Sequence, residues 1–193
     1  MRRLPILLLA VAGCGGNTST AIPTTVPTAV STTASATASA TVSDTVVDSD
    51  HGAGGPAVQP GVFDRTAARI TLADGSFCEL CLWLAETPDD RARGLMEVTD
   101  LGAADAMAFV YPEAHTGSFW MKNTIMPLSI AFYSPSGAFL DAFDMEPCVT
   151  EQCTSYPTSP DFLIAVEAPQ GGLDELGLVA GSSLELLDLP CPD

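Results

Sequence analysis

Basic residues are scarce in this sequence. It has seven Lys and Arg against 24 Asp and Glu, which gives a formal net charge of −17 at pH 7, and Lys122 is its only lysine. A field of this sign repels nucleic acid and anionic lipid head groups. We therefore exclude nucleic acid as a partner, and we interpret the acidic surface as one that keeps the protein soluble.

Several patterns that carry chemistry are also missing. The sequence has only two histidines, His51 and His115, and they are far apart, so there is no histidine pair at metal-binding spacing. There is no serine nucleophile elbow, phosphate-binding loop or dinucleotide fingerprint. Asp141, Asp144 and Glu146 are close together but lack the alternating ligands and the turn glycine of a calcium loop. We expect no metal and no cofactor, and we assign no catalytic residue from a motif.

Long hydrophobic runs are absent too, and the most apolar segment lies at the N-terminus. Two arginines precede apolar residues 4–12, and small residues at positions 11–13 lead to Cys14. This arrangement is typical of a secretory signal, and it is too short to span a bilayer. Its small-small-Cys ending resembles the lipobox of bacterial lipoproteins, so we expect residues 1–13 to be removed and Cys14 to carry lipid. The protein would then be anchored in the cell membrane or outer membrane and face an extracytoplasmic space. The alternative is an ordinary signal cleaved nearby, with Cys14 incidental.

Composition divides the rest of the chain in two. Residues 14–60 are mostly Thr, Ser, Ala, Val and Pro, without Lys, Arg or any aromatic side chain. Such a segment cannot bury enough apolar surface to offset the entropy of ordering it, so we predict a disordered tether. Residues 61–193 contain every Trp, Tyr and Phe of the chain and have the length of one ordinary domain.

The pattern in residues 61–193 predicts a mainly β domain. Asp74-Gly75 is a type I′ turn signal between strands at 70–72 and 76–85. Thr87 is a suitable cap for a helix of less than two turns that starts at Pro88 and stops at Gly94. Further strands are predicted at 107–111, where Pro112 ends the strand, and at 118–121, 128–133, 138–144, 162–167 and 183–187. Short strands at such spacing predict a single compact β-sandwich or barrel-like domain with short helical connectors.

The remaining cysteines suggest disulfides in an oxidising compartment. Cys148 and Cys153 flank a polar loop, which a disulfide between them would close. Cys191 lies near the C-terminus, and we expect it to fix the tail by pairing with Cys78 or Cys81. Cys78 and Cys81 form a C-x-x-C pattern, but it lies within a strand and not at a helix start, which disfavours a redox centre.

Several motifs in the middle of the chain resemble those of one family. They occur in a fixed order, namely Arg93-Gly94-Leu95-Met96, Met107 to Pro112, Phe119 to Thr124 with Pro127-Leu128, and Phe162 to Glu167 with Gly171-Gly172. Together they resemble the DUF192 family over about residues 70–187. The resemblance implies a compact β-sandwich or barrel-like fold, in a family without an established activity.

The chain departs from the family pattern at three polar positions. Ser129 stands where the family usually has Asp, Val98 where an Arg is frequent, and Ser182 where an Asp is frequent. The resemblance therefore implies that a site served by those residues is altered or lost in this chain.

The lysine-containing segment suggests a binding site. In the functional hypothesis Lys122, Asn123 and Thr124 hold a carboxylate, phosphate or sugar hydroxyl, Trp120 offers a stacking face, and His115 is a titratable group nearby. In the structural alternative Lys122 only pairs with a carboxylate, Trp120 fills core and Asn123 caps a turn.

Three functions are compatible with these features. We favour a tethered module that captures a small polar ligand or an envelope component near these residues, with Glu167 as a further ligand-binding candidate. The second is a cell-envelope enzyme that uses Glu167 and His115 as a general acid/base pair. The third is a protein-interaction scaffold without a ligand pocket.

Overall fold

The computed structural model describes residues 58–191. The predicted signal peptide, Cys14 and most of the predicted tether, including His51, lie outside the described residues. Val58, which we assigned to the tether, donates its N–H to the Thr99 hydroxyl at 2.9 Å, and its carbonyl accepts from the Thr99 N–H at 3.0 Å. No helix of the described part is long and apolar enough to cross a membrane.

The described chain is mainly β, as predicted. In chain order its elements are β1 Arg65–Thr71, β2 Phe77–Ala85, α1 Pro88–Arg93, β3 Ala106–His115, β4 Ser118–Trp120, β5 Leu128–Tyr133, β6 Phe139–Met145, β7 Ser155–Pro157, β8 Phe162–Pro169 and β9 Ser183–Leu186. Seven strands form one sheet in the order β6-β5-β8-β3-β2-β1-β9, and β4 pairs with β7 separately. All neighbours are antiparallel except β2 and β3, which are parallel.

The two edge strands of the large sheet approach each other at one point. Ala138 and Ser183 form an isolated bridge, and the Leu184 N–H donates to the Gly137 carbonyl at 2.8 Å. Gly137 has a φ of +79°, and a Cβ there would collide with the Leu184 carbonyl oxygen. Because β6 and β9 do not pair along their length, the sheet is not a closed barrel, and the domain is sandwich-like.

The large sheet carries an apolar core on each face, because successive strand residues point to opposite sides. Along β5, Ile130 and Phe132 belong to the first core, whereas Ala131 and Tyr133 belong to the second. The first core is completed from outside the sheet by the segment after α1 and by the small sheet, which supply Leu95, Val98, Phe119 and Met121. The candidate site lies on this first face.

The helix prediction is confirmed in its details. The Thr87 hydroxyl accepts from the Asp90 N–H at 3.1 Å, and the Asp90 carboxylate accepts from the Thr87 N–H at 3.2 Å, which is a capping box. Pro88 occupies the first turn, and Gly94 ends the helix with its N–H donating to the Asp90 carbonyl at 2.8 Å.

Two local predictions were wrong. The β1–β2 hairpin is present, but its turn is not type I′, since Gly75 has a φ of +82° and Asp74 has no positive φ. The Asp74 carboxylate accepts from the Ser76 N–H at 2.9 Å, which favours this alternative turn. In addition, β3 continues past Pro112 to His115, with an irregular register between Val110 and His115 that accommodates the proline.

The disulfides join the tail and a loop to the domain. Cys191 pairs with Cys81, with their Cα atoms 5.1 Å apart, and Cys148 pairs with Cys153, with their Cα atoms 5.7 Å apart. Of the two partners that we considered for Cys191, the structure therefore joins it to Cys81. None of the cysteines in the described part of the chain is free.

Candidate functional site

The site centres on a buried carboxyl group. Glu167 lies in β8, between Met107 of β3 and Ile130 of β5, and it is only 4% exposed. Both neighbours belong to the first core, so this face of the sheet is otherwise apolar here. Within the described residues, the Glu167 carboxyl makes no hydrogen bond and no ion pair.

Burial changes the ionisation of this carboxyl. Removal from water disfavours the charged form, which raises the pKa of Glu167 from 4.5 to about 8. At neutral pH the group is therefore mostly protonated. A protonated carboxyl donates one hydrogen bond and still accepts others, whereas a carboxylate only accepts.

Glu167 is the buried carboxyl of a cleft on the first face. The cleft is lined by Arg91, Ala92, Arg93, Gly94, Leu95, Met96, Phe109, Phe119, Trp120, Thr124 and Glu167. Its cavity volume is about 30 Å³, far below the about 300–1,000 Å³ of ordinary small-molecule pockets. The cleft therefore accepts one small functional group, and the rest of a ligand would lie outside it.

One wall of the cleft depends on Gly94. This residue has a φ of +47°, and a Cβ there would lie 3.0 Å from the Phe109 ring. A glycine therefore lets the chain turn over the sheet directly after α1 and bring Leu95 against the first core. The Glu97 N–H then donates to the Asn123 carbonyl at 2.8 Å, which holds this wall against the opposite one.

A cation and an aromatic ring flank the cleft. The Arg91 guanidinium lies over the Tyr111 ring, 4.6 Å from its centroid, and donates to the carbonyl oxygens of Val110, at 2.9 Å, and Glu86. Burial raises the pKa of Tyr111, the Arg91 charge lowers it and the Glu167 charge raises it. Arg91, Tyr111 and Glu167 are therefore close enough to interact electrostatically.

The structure brings three of the six predicted binding residues together. Trp120, Thr124 and Glu167 line the cleft, with Trp120 58% exposed and Thr124 buried. Trp120 therefore presents a ring to solvent and does not fill core. The Thr124 hydroxyl donates to the Lys122 carbonyl at 3.4 Å, so the run through Lys122 is bonded locally.

The other three predicted residues lie elsewhere. Lys122 does not line the cleft: its Nζ donates to the Thr150 carbonyl at 3.0 Å and lies 3.7 Å from the Glu151 carboxylate, so it holds the loop closed by the Cys148–Cys153 disulfide. Asn123 has a φ of +53°. His115 is exposed and stacks on Tyr111, with ring centroids 4.3 Å apart.

The three departures from the family pattern do not touch the cleft. Val98 is buried in the first core, and the Ser182 hydroxyl lies 3.2 Å from the Tyr133 hydroxyl. The Ser129 hydroxyl donates to Asp144 at 2.5 Å and accepts from a backbone N–H. Ser129 and Asp144 line a separate cavity, so the departures leave the lining of the Glu167 cleft unchanged.

The part of the cleft formed by α1 and the turn after it was not predicted from the sequence. The sequence places Arg91 and Arg93 in the predicted helix and Arg93 to Met96 in a motif, and neither assignment indicates a binding site. The Arg93 to Met96 motif could have indicated this part of the site. A glycine turn directly after a helix that ends in basic residues places their cations beside the strand that the turn packs against. Which strand it covers depends on long-range pairing and could not be read from the motif.

Comparisons with known proteins agree with this architecture. The family model of DUF192, described as an uncharacterised ACR, matches residues 70–186. A crystal structure described as a "putative transcription regulator" from Sinorhizobium meliloti 1021 is similar at 26% identity and a TM-score of 0.54, covering 64% of this chain and 95% of that one. A protein of unknown function from Novosphingobium aromaticivorans DSM 12444 is similar at 28% identity and a TM-score of 0.56, covering 69% of this chain and 94% of that one. No curated protein matches the chain.

Proposed function

The chain belongs to the DUF192 family, and from this premise and the geometry above we propose that its domain is a small-ligand binding module whose site is the Glu167 cleft. The observation that carries the proposal is the carboxyl of Glu167, which is 4% exposed, lines the cleft and has no partner within the described residues. A protonated carboxyl can both donate and accept hydrogen bonds. A ligand that enters the cleft therefore meets a polar group that no part of the described chain already uses.

The proposal includes a location. The N-terminal sequence up to Cys14 supports export and lipid anchoring, and the residues between Cys14 and Val58, which is bonded to the domain, would form the tether to the membrane. The two disulfides, Cys81–Cys191 and Cys148–Cys153, are consistent with an oxidising compartment outside the cytoplasm. Release of the protein from membranes on replacing Cys14 by serine, in cells that export it, would test the anchor.

A ligand screen tests the binding function. The full-length chain is titrated with neutral, cationic and anionic fragments, and amide chemical shifts are followed by NMR. We expect at least one class to shift the amides of Gly94, Leu95 and Thr124. Ala92→Phe should abolish these shifts by filling the mouth of the cleft, whereas Ala103→Phe places the same side chain on an exposed site outside it. If no fragment of any charge shifts these amides, the binding function is wrong.

A second candidate function is acid/base catalysis. It is favoured by one observation, the raised pKa of Glu167, which at about 8 lies close to the pH at which a cell-envelope enzyme would work. His115 does not line the cleft, so Glu167 would act without it. Turnover of an envelope-derived substrate that is lost in Glu167→Gln, with ligand binding retained, would favour catalysis over binding alone.

A further inference from the structure

The cations at the cleft have no acidic partners. Within the described residues, the ion pairs are Arg69–Glu79 and Lys122–Glu151. Arg91 and Arg93 line the cleft, and neither pairs with a carboxylate of the described chain. In a sequence with 24 acidic residues and seven basic ones, two of the few cations therefore meet at one cleft with no carboxylate of the described chain to neutralise them.

The cleft also offers other hydrogen-bond donors. Leu95 is one of its lining residues, and the Leu95 N–H donates to no acceptor within the described chain. Arg93 is exposed and supplies guanidinium N–H groups. Arg91 directs Nη1 to the carbonyls of Glu86 and Val110, which line a neighbouring cavity with Tyr111, so it acts on the cleft through its charge. Glu167, mostly protonated at neutral pH, adds an O–H. The lining of this cleft is thus rich in donors.

We propose that the ligand of this cleft presents a carboxylate, which the positive charges of Arg91 and Arg93 attract and which forms a hydrogen bond with the Glu167 carboxyl. The inference rests on the proposed binding function and names its ligand class. A carboxylate is among the smallest charged groups, which suits a cavity of about 30 Å³, and its two oxygens match the forked donors of arginine. Trp120, 58% exposed at the rim, offers an apolar face to the rest of the ligand. The carboxylate belongs to a small free acid or to the C-terminus of a peptide.

The arrangement makes binding depend on the protonation of Glu167. The charged residues that line the cleft with it are Arg91 and Arg93 from α1, and Tyr111 of β3 lies close enough for the Glu167 charge to raise its pKa. The arginines stay charged at any pH used here, and burial raises the pKa of Tyr111 above its ordinary value of 10, so Glu167 is the group that titrates. Above about pH 8 its ionised form would repel the ligand.

Matched acids and amides test the ligand class. Phenylacetate is compared with phenylacetamide, and the peptide Ala-Ala-Phe with its C-terminal amide, each titrated into the full-length chain at pH 6.5 with NMR detection. We expect one or both acids to bind in the cleft and their amides to bind at least tenfold more weakly. Binding by phenylacetate alone indicates a small free acid, and binding by the peptide acid alone indicates a peptide C-terminus.

Two variants separate the role of charge at the cleft from that of charge in general. Arg93→Gln should weaken acid binding about tenfold, whereas Arg65→Gln removes an equal charge from an exposed arginine that lies over Trp83, outside the cleft, and should leave binding unchanged. Glu167→Gln keeps an N–H donor, so it should bind at pH 6.5 within a few-fold of the wild type and keep that affinity at pH 9, where the wild type loses it.

The outcomes distinguish this inference from the function on which it rests. If neutral or cationic fragments bind in the cleft and carboxylates do not, the carboxylate assignment is overturned and the binding function stands. Equal binding of acids and amides, or equal effects of Arg93→Gln and Arg65→Gln, also overturns the assignment. If no compound of any charge binds, both proposals fail.

Discussion

Replacing Glu167 by glutamine should change how the stability of the domain depends on pH. In the unfolded chain this carboxyl ionises near pH 4.5, whereas burial holds the pKa of Glu167 near 8 in the folded chain. Between these values the folded state keeps a proton that the unfolded state releases. The free energy of unfolding therefore falls as pH rises. The contribution of the Glu167 proton is fully present below pH 4.5 and fully lost above pH 8.

The size of the effect follows from the pKa difference. One pKa unit corresponds to about 1.4 kcal/mol, so this single proton should reduce stability by about 3 kcal/mol between pH 5 and pH 7. Over the whole interval the reduction is on the order of 5 kcal/mol, which is an upper bound because water entry on ionisation would lower it. A domain with a net stability of about 5–15 kcal/mol would lose a substantial share.

Urea unfolding of the full-length wild type and of Glu167→Gln, from pH 4.5 to pH 9, measures this effect. The other acidic residues also make stability vary with pH, but that background is common to both proteins and cancels in their difference. We expect near-equal stability at pH 5 and a glutamine variant that is more stable by several kcal/mol at pH 8.5. Parallel curves over the whole range would refute the buried, protonated state of Glu167.

Three further predictions concern the architecture, and each is measured by thermal or urea unfolding of the full-length chain. Gly137→Ala should destabilise the domain by at least about 1 kcal/mol more than Gly75→Ala, which is about the cost of one strained residue. Both glycines have a positive φ, but only at Gly137 would the added Cβ collide with a backbone carbonyl. Equal losses of stability in the two variants would contradict this close contact. Lys122→Ala should lower the free energy of unfolding by about 1 kcal/mol or less and leave ligand binding in the cleft intact, because Lys122 contacts only an exposed loop. Loss of binding in this variant would show that Lys122 belongs to the binding site. Replacing Cys81 and Cys191 by serine should lower the free energy of unfolding by about 2–5 kcal/mol, because their disulfide closes a loop of 110 residues. An unchanged unfolding midpoint would show that the C-terminal tail is held in place without the disulfide.

Much of the fold was predictable because it depends on local rules. A short alternating run marks β1, continuous apolar runs mark β5 and β8, and turn residues mark their ends. The α1 helix carries its start in Thr87 and Pro88. By contrast, Ser155 to Pro157 gave no strand signal, because three residues ending in proline form a strand only when β4 is already in place beside them.

The site was predictable only in part, for a physical reason. A glutamate within an apolar strand such as β8 is visible in the sequence, and so is Trp120 in the Phe119 to Thr124 motif, but its exposure is seen only in the structure. The direction of Lys122 was not visible, because it depends on a carbonyl 28 residues away in the loop that a disulfide closes. Arg93 reaches the cleft only because β2 and β3 pair in parallel, which places the connection between them, α1 included, on the face that carries Glu167.

The position of β9 has a consequence for the order in which the domain folds. Its residues pair with β1, near the other end of the described chain, with Leu184 opposite Ile70. A chain that emerges from its N-terminus can form the β1–β2 hairpin early, but the outer side of β1 stays open until more than a hundred later residues have followed. Contacts so distant in sequence make folding slow, and an open strand edge promotes pairing between chains in the meantime. The proposed tether, if it keeps neighbouring domains apart, and the Cys81–Cys191 disulfide, which can form only once the tail has docked, would both act on this late step.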